Sequence, residues 1–432
     1  MYLQGSEEFK HHVETYGPHT KFGYKDFIPL FKAENYDPDH WVQLFKKAGA
    51  RYVVPVAEHH DGFAMYDSAF SNWTAAKMGP KRDLIGELAE AVRKHGLIFG
   101  VSNHRAEHWW FMNGGREFDS DVQNADYSDF YGPAKPGPRN WEVEAWHSRD
   151  WVPQPDETYL TDWLARNYEL VDKYQPQIVW FDWWIEQNVF APYLQKFAAY
   201  YYNRGLEWER GVLIQHKHES FPKGTALYDI ERGKLNHIRE DYWQTDTSIS
   251  YKSWCYVEDD AFKSTTTIVH DLVDIVSKNG NLLLNVGPKP DGTIPDEPAS
   301  ILLGLGEWLT VNGEAIYETR HWQTFGEGST KVGEGHMRER EDQPFSAEDI
   351  RFTTRDNALY AICLGWPGEA ALIRSLGSDS PVKAGSIERI QMLGSDEPLE
   401  WAQHEDGLRV KTPSQKPCSH AYTFKILLKP ET

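Results

Sequence analysis

The sequence predicts an α/β chain: a (β/α)8-like, TIM-type barrel followed by a small C-terminal antiparallel β-sandwich. Three observations predict it. From Tyr36 to about Thr310, amphipathic helices alternate with short apolar strands, the pattern of a parallel sheet with helical crossovers. No GxGxxG or P-loop motif follows any of those strands, which disfavours a nucleotide-binding sheet. Beyond Glu318 the periodicity shortens to brief alternating runs separated by Gly, Pro and Asp, as in a sandwich.

The elements follow in order. Asp37-Pro38 is an N-cap with proline at the first helical position, and Trp41, Leu44, Phe45 and Ala48 then share one face until Gly49. Residues 52–57 are a buried-strand candidate. Asp83 caps a helix carrying Leu84, Leu88 and Val92; Gly96 ends it, and residues 97–101 form the next strand. Leu160, Trp163, Leu164 and Val171 mark a third helix, which leads to a strand at Ile178-Val179-Trp180-Phe181. Further strands are predicted at 211–215 and 281–286, with a helix over 265–277 between. Residues 323 to 348 are rich in Gly, Glu and Arg and lack periodicity. The predicted organisation is therefore a barrel over 1–318, a linker or exposed loop over 319–349, and a sandwich over 350–432. Sandwich strands are expected at 358–364, 370–373, 390–393, 408–410 and 421–428.

At 432 residues the chain can bury a large core, and two domains are the natural prior. Carboxylates outnumber bases 65 to 45, giving a net charge of −20. That field repels phosphate backbones and anionic membranes, so neither nucleic acid nor membrane is an expected partner. No apolar run reaches spanning length, and Met1 to Lys10 lacks the basic and apolar regions of a signal peptide. A cytoplasmic location is the expectation. Cys255, Cys363 and Cys418 lie far apart without CxxC spacing and read as ordinary thiols.

In a parallel barrel, function gathers where strands end. The first strand runs into Glu58-His59-His60-Asp61-Gly62-Phe63, the second into Ser102-Asn103-His104-Arg105-Ala106-Glu107, the third into Asp182-Trp183-Trp184-Ile185-Glu186. These ends carry acids, histidines and tryptophans, without a serine or lysine nucleophile motif. Adjacent histidines in an extended strand point to opposite faces, so His59 and His60 share no metal unless the strand end kinks. No catalytic metal and no cofactor are expected. The histidines read as donors to substrate hydroxyls, or as hydrogen-bonded core residues. Asp182 follows four apolar residues, where a carboxylate is costly unless paired or used; an N-cap is the plain alternative.

Half of the 18 tryptophans fall between Trp109 and Trp184. Trp163 fits an apolar helix face. Trp109, Trp110, Trp141, Trp146 and Trp151 lie in a polar, loop-like stretch, where core packing explains them less well. Indoles beside carboxylates suit carbohydrate, because ring faces cover sugar C–H surfaces while acids take hydroxyls.

These residues carry a family resemblance. The stretch Asp37 to Ser68 (DPDHWVQLFKKAGARYVVPVAEHHDGFAMYDS), Val179 to Trp184 (VWFDWW), Ser253 to Tyr256 (SWCY), Ser277 to Pro295 (SKNGNLLLNVGPKPDGTIP) and the tail from Phe352 to Leu428 together resemble the α-L-fucosidases of glycoside hydrolase family 29. The resemblance implies an exo-acting, retaining fucosidase that releases terminal fucose from oligosaccharides or glycoconjugates through a covalent glycosyl-enzyme. It implies Asp182 as nucleophile. For the acid/base it points first to Glu231, in Tyr228-Asp229-Ile230-Glu231-Arg232-Gly233, with Glu240, Glu186 and Glu58 behind it. The Trp-Glu pair of some members is Trp243-Gln244 here. His59, His60 and Trp180 carry over as contacts to the sugar, Trp183 stands beside them, and Trp254 lines the pocket for the C5 methyl. His104 stands where relatives often have tyrosine and is a further hydroxyl ligand.

One departure matters. Members usually open with a strand reading like KFGIFIHWG. Met1 to Gly17 resembles the loop after it, so a barrel lacking its first strand is the expectation. Two alternatives stand beside the fucosidase reading: a glycosidase for a related sugar such as an α-L-galactoside, because a pocket lined by Trp254 rejects an added hydroxyl only weakly, and an inactive or incomplete sugar-binding protein, because of the missing strand. A homo-oligomer is compatible with the sequence.

Overall fold

The structure is a computed structural model that describes residues 1–136 and 149–430; Trp141 and Trp146 lie outside the described residues. The chain forms two compact units. One comprises Met1–Lys46, Ala50–Tyr228 and Lys289–Thr293, the other Lys47–Gly49, Asp229–Pro288 and Ile294–Thr432.

In the first unit, helix α1 (Glu7–Tyr16) opens the chain where a loop was expected, because the Ser6 side chain caps it by accepting from Phe9 N–H at 3.1 Å. Helix α2 (Pro38–Lys47) leads to β1 (Tyr52–Val53) and β2 (Val56–Glu58). The strand expected over 52–57 is broken in two at Val54-Pro55, since proline cannot donate to a ladder. Helix α3 (Leu84–Lys94), capped by Asp83, precedes β3 (Ile98–Asn103). The short α4 (Ser128–Tyr131) and long α5 (Glu157–Tyr174) precede β4 (Ile178–Phe181). Helix α6 (Ala191–Glu207), β5 (Leu213–His216) and β6 (Leu227–Glu231) follow, the chain passing into the second unit within β6.

The second unit continues with β7 (Trp243–Ser248), α7 (Thr265–Ser277), β8 (Gly280–Asn285) and α8 (Asp296–Asn312). The parallel sheet runs β1-β3-β4-β5-β6-β7-β8, with β2 also on β3. Among the described residues this path stays open, a half-barrel. Sequence periodicity misses β6 and β7. Strand β7 reads WQTDTS yet is wholly buried, because its polar side chains are paired. Gln244 Nε2 donates to Asp229 Oδ1 at 3.1 Å, Thr245 Oγ1 to the Gly233 carbonyl at 2.8 Å, and Ser248 Oγ to Asn285 Oδ1 at 2.9 Å.

Eight antiparallel strands complete the second unit: β9 (Arg320–Glu327), β10 (Ile350–Arg355), β11 (Ala358–Cys363), β12 (Ala370–Ile373), β13 (Ile387–Met392), β14 (Trp401–His404), β15 (Gly407–Lys411) and β16 (Tyr422–Leu428). They form sheets ordered β13-β16-β11-β10-β9 and β12-β15-β14 around a core that includes Phe352, Ile373, Val410 and Phe424. Strand β9 lies in the segment expected to be a linker. It pairs with β10 along one edge, and a half-buried edge strand needs no clean alternation.

The first unit's core corrects the tryptophan reading. Trp109 and Trp110 are buried among Trp163, Phe181 and Trp184, and Trp151 packs against them half-buried, so all three fill core space.

Candidate active site

Parallel register assembles the site. Glu58 of β2 and Phe181 of β4 both stand level with Asn103 of β3. One or two residues further along each strand come His59-His60, His104 and Asp182. On the far side Trp180 stands level with Gln215, which brings Lys217 level with Asp182. Four neighbouring strand ends in the first unit therefore converge on one carboxylate.

Asp182 is 8 % exposed and held at both oxygens. Oδ2 accepts from His104 Nδ1 at 2.8 Å and lies 3.3 Å from His60 Nε2. Oδ1 accepts from its neighbour Trp183's backbone N–H at 2.8 Å and from Lys217 Nζ at 3.2 Å. Burial alone would raise the pKa of this carboxyl. Lys217, His104 and His60 outweigh it and hold the group well below the usual carboxylate range. Asp182 caps no helix.

His60 faces a second acid. Its Nε2 lies 2.7 Å from Oε1 of Glu107, which is buried on the 3-10 turn Arg105–Trp109 after β3. Burial disfavours the imidazolium, but Glu107 and Asp182 overcome it and raise the His60 pKa to about 10. His104 moves the other way: burial lowers its pKa despite Asp182. Lys217 Nζ also sits 4.7 Å above the Trp180 ring, and that ring lies 4.9 Å from His104. Trp183 packs edge-on against Trp110 and Trp151.

The turn after Asp182 is strained, with Trp184 at φ 78°, which bulky L-residues rarely adopt. It buries Glu186, whose Oε2 has no hydrogen-bond partner. Burial, reinforced by the negative charges of Glu107 and Asp182, pushes the Glu186 pKa up to about 8.

The structure brings together Asp182, His59, His60, His104, Trp180 and Trp183. Glu231 and Trp254 lie in the second unit, grouped with each other through Arg232, whose guanidinium stacks 4.4 Å from the Trp254 ring. Glu231 ends β6, and its carbonyl accepts from Met337 N–H at 2.7 Å. Lys217 is a site residue not expected from the sequence, where the candidates came from the ends of three strands and this one follows a fourth. The available signal was His216-Lys217-His218 directly after the strand expected over 211–215.

The strand end kinks, which is the condition under which the adjacent histidines can share a ligand. Strand β2 stops at Glu58 and a turn follows, so the His59 and His60 rings lie 4.1 Å apart on one side. Ligand atoms of His59, His60 and His104 fall within 4.8 Å of one another, as do those of His60, Glu107 and Asp182. A divalent ion would fit by reach. The cations of Lys217 and His60 already face these carboxylates, and an ion would have to displace them.

A parallel sheet with a clamped carboxylate at its strand ends and a sandwich after it is an arrangement that fits a glycoside hydrolase, and the comparisons with known proteins place the chain in that class. The chain belongs to the α-L-fucosidase family. The family profile "Alpha-L-fucosidase" matches residues 1–314, and "Alpha-L-fucosidase C-terminal domain" matches residues 343–427. The tissue α-L-fucosidase of Rattus norvegicus is 30% identical over 98% of this chain and 82% of its own length. The human tissue enzyme is 30% identical over 94% of this chain and 78% of its own. The Thermotoga maritima α-fucosidase in complex with a mechanism-based inhibitor superposes with TM-score 0.74 at 30% identity, covering 99% of this chain and 86% of that one.

Proposed function

We propose that this protein is an exo-acting, retaining α-L-fucosidase that hydrolyses terminal α-L-fucose from oligosaccharides or glycoconjugates. The observation that carries the reading is the Asp182 carboxylate, buried yet kept ionised by donors at both oxygens. Such a group is poised to attack an anomeric carbon and form a fucosyl-enzyme. Glu231 is the assigned acid/base: it protonates the leaving oxygen, then takes a proton from the incoming water. His59, His60 and His104 donate to sugar hydroxyls, Trp180 and Trp183 wall the site, and Trp254 covers the C5 methyl. Residues 1–318 form the catalytic part in this reading and 350–432 the sandwich. Relatives support it, since Thermotoga maritima α-fucosidase structures contain fucose and a mechanism-based inhibitor. The test is hydrolysis of an aryl α-L-fucoside by the purified chain, with product stereochemistry followed by NMR. Release of α-L-fucose supports the reading; β-L-fucose as first product, or no turnover, overturns it.

A further inference from the structure

Glu107 is a buried carboxylate that no step above uses, and it makes His60's closest polar contact. Its Oε1 lies 2.7 Å from His60 Nε2, whereas Asp182 Oδ2 lies 3.3 Å from the same nitrogen. We propose that Glu107 is a positioning residue that holds His60 as an imidazolium against Asp182 through the half of the reaction in which Asp182 carries no charge. The proposal rests on the retaining reading above.

The reason lies in charge balance. In the first half-reaction an Asp182 oxygen bonds to the anomeric carbon, the bond from that carbon to the leaving oxygen breaks, and the acid carboxyl gives that oxygen its proton. Asp182 is now a neutral ester, which accepts hydrogen bonds more weakly than a carboxylate. The longer of His60's two contacts loses its ionic character, and Glu107 remains. In the second half-reaction water delivers its oxygen to the anomeric carbon and a proton to the acid/base carboxylate, and Asp182 departs as a carboxylate. The cation that receives that charge must still be in place and still protonated.

The surroundings of His60 leave this task to Glu107. From β3 and its following turn come Glu107, His104 and His108; from β4 comes Asp182, and from β5 comes Lys217. His59 and Asp61 flank His60 on its own turn. His108 Nδ1 lies 2.8 Å from the His60 carbonyl and so fixes its backbone. The Asp61 carboxylate is taken by Tyr24 Oη at 3.0 Å and Phe63 N–H at 3.1 Å. Once Asp182 is esterified, Glu107 is, among the described residues, the carboxylate that contacts the His60 ring. The elevated His60 pKa is consistent with this pairing.

The test uses the whole chain with isotope-labelled histidine, His60 being assigned through His60→Gln. Glu107→Gln keeps shape and hydrogen-bonding reach but removes the charge. Its His60 pKa should fall by at least about one unit, a tenfold change in proton affinity. An unchanged titration overturns the proposal, whether or not the chain hydrolyses fucosides, so this readout fails separately from the fucosidase reading. Wild-type protein supplies a second measurement that needs no variant. After trapping with a 2-fluoro-fucosyl donor, His60 should remain protonated at pH 8; titration near the ordinary ~6.5 overturns the proposal. With a dinitrophenyl fucoside, Glu107→Gln should lose kcat on the order of 10-fold and more than kcat/KM, with partial recovery in Glu107→Asp. Equal losses in both constants would mark a structural role and overturn it.

Discussion

Lys217 Nζ lies 3.2 Å from Asp182 Oδ1, and both side chains are buried. A primary amine from β5 thus neutralises a carboxylate from β4, in a place where an uncompensated charge of either sign would be costly. The chemistry of the site depends on this pair.

Asp182→Asn should abolish aryl fucoside turnover, by at least ~10⁴-fold in kcat. Asp182→Gly should regain part of it with added azide, forming a fucosyl azide of inverted configuration. Retained wild-type rate in Asp182→Asn would show that another group attacks.

Lys217→Met should lower kcat on the order of 10²-fold, because it removes a preorganised charge from the reacting carboxylate. It should also move the acid limb of the pH–rate profile. Lys217 helps hold the Asp182 pKa down, so without it Asp182 protonates at higher pH and the limb shifts upward. A limb that stays in place would separate Lys217 from Asp182 electrostatically.

Glu231→Ala should spare substrates with good leaving groups. A dinitrophenyl fucoside needs little protonation of its departing oxygen, so its first step should be nearly unaffected. A natural fucosyl disaccharide should lose on the order of 10²- to 10⁴-fold. Equal losses on both would point to a different acid.

Glu186→Gln should flatten the fall in stability between pH 5 and 8. The folded-state pKa of Glu186, about 8, lies above that of an unfolded glutamate, about 4.3. The stability gained by burying the neutral acid is present at low pH and lost as pH rises toward 8. Glutamine cannot ionise, so the variant should gain about 1–3 kcal/mol relative to wild type at pH 8 in urea unfolding. Parallel pH curves for the two proteins would refute it.

Much of this was legible in the chain. Helix α3 announces itself through Asp83 and its apolar face, and β4 through four consecutive apolar residues. Asp182, His59, His60 and His104 were legible as residues that follow strands. Strand β7 was not, since polarity normally signals exposure and its polar atoms are paired only in three dimensions. Glu107 and Lys217 were obscured for a related reason. Both look like ordinary surface charges until register brings them to His60 and Asp182. Whether the His59 and His60 rings approach turned on where the strand ends, because alternation holds only while a strand continues, and β2 ends one residue earlier.

The indoles around the Asp182 turn have an optical consequence. Trp110, Trp151, Trp183 and Trp184 lie with ring centroids 5.3 to 6.4 Å apart at steep mutual angles. Transition dipoles that close and that inclined couple, so this turn should give the protein a near-ultraviolet circular dichroism signal of its own. A variant of Asp182 or Lys217 that keeps this band has kept its scaffold, and any lost turnover is then a loss of chemistry.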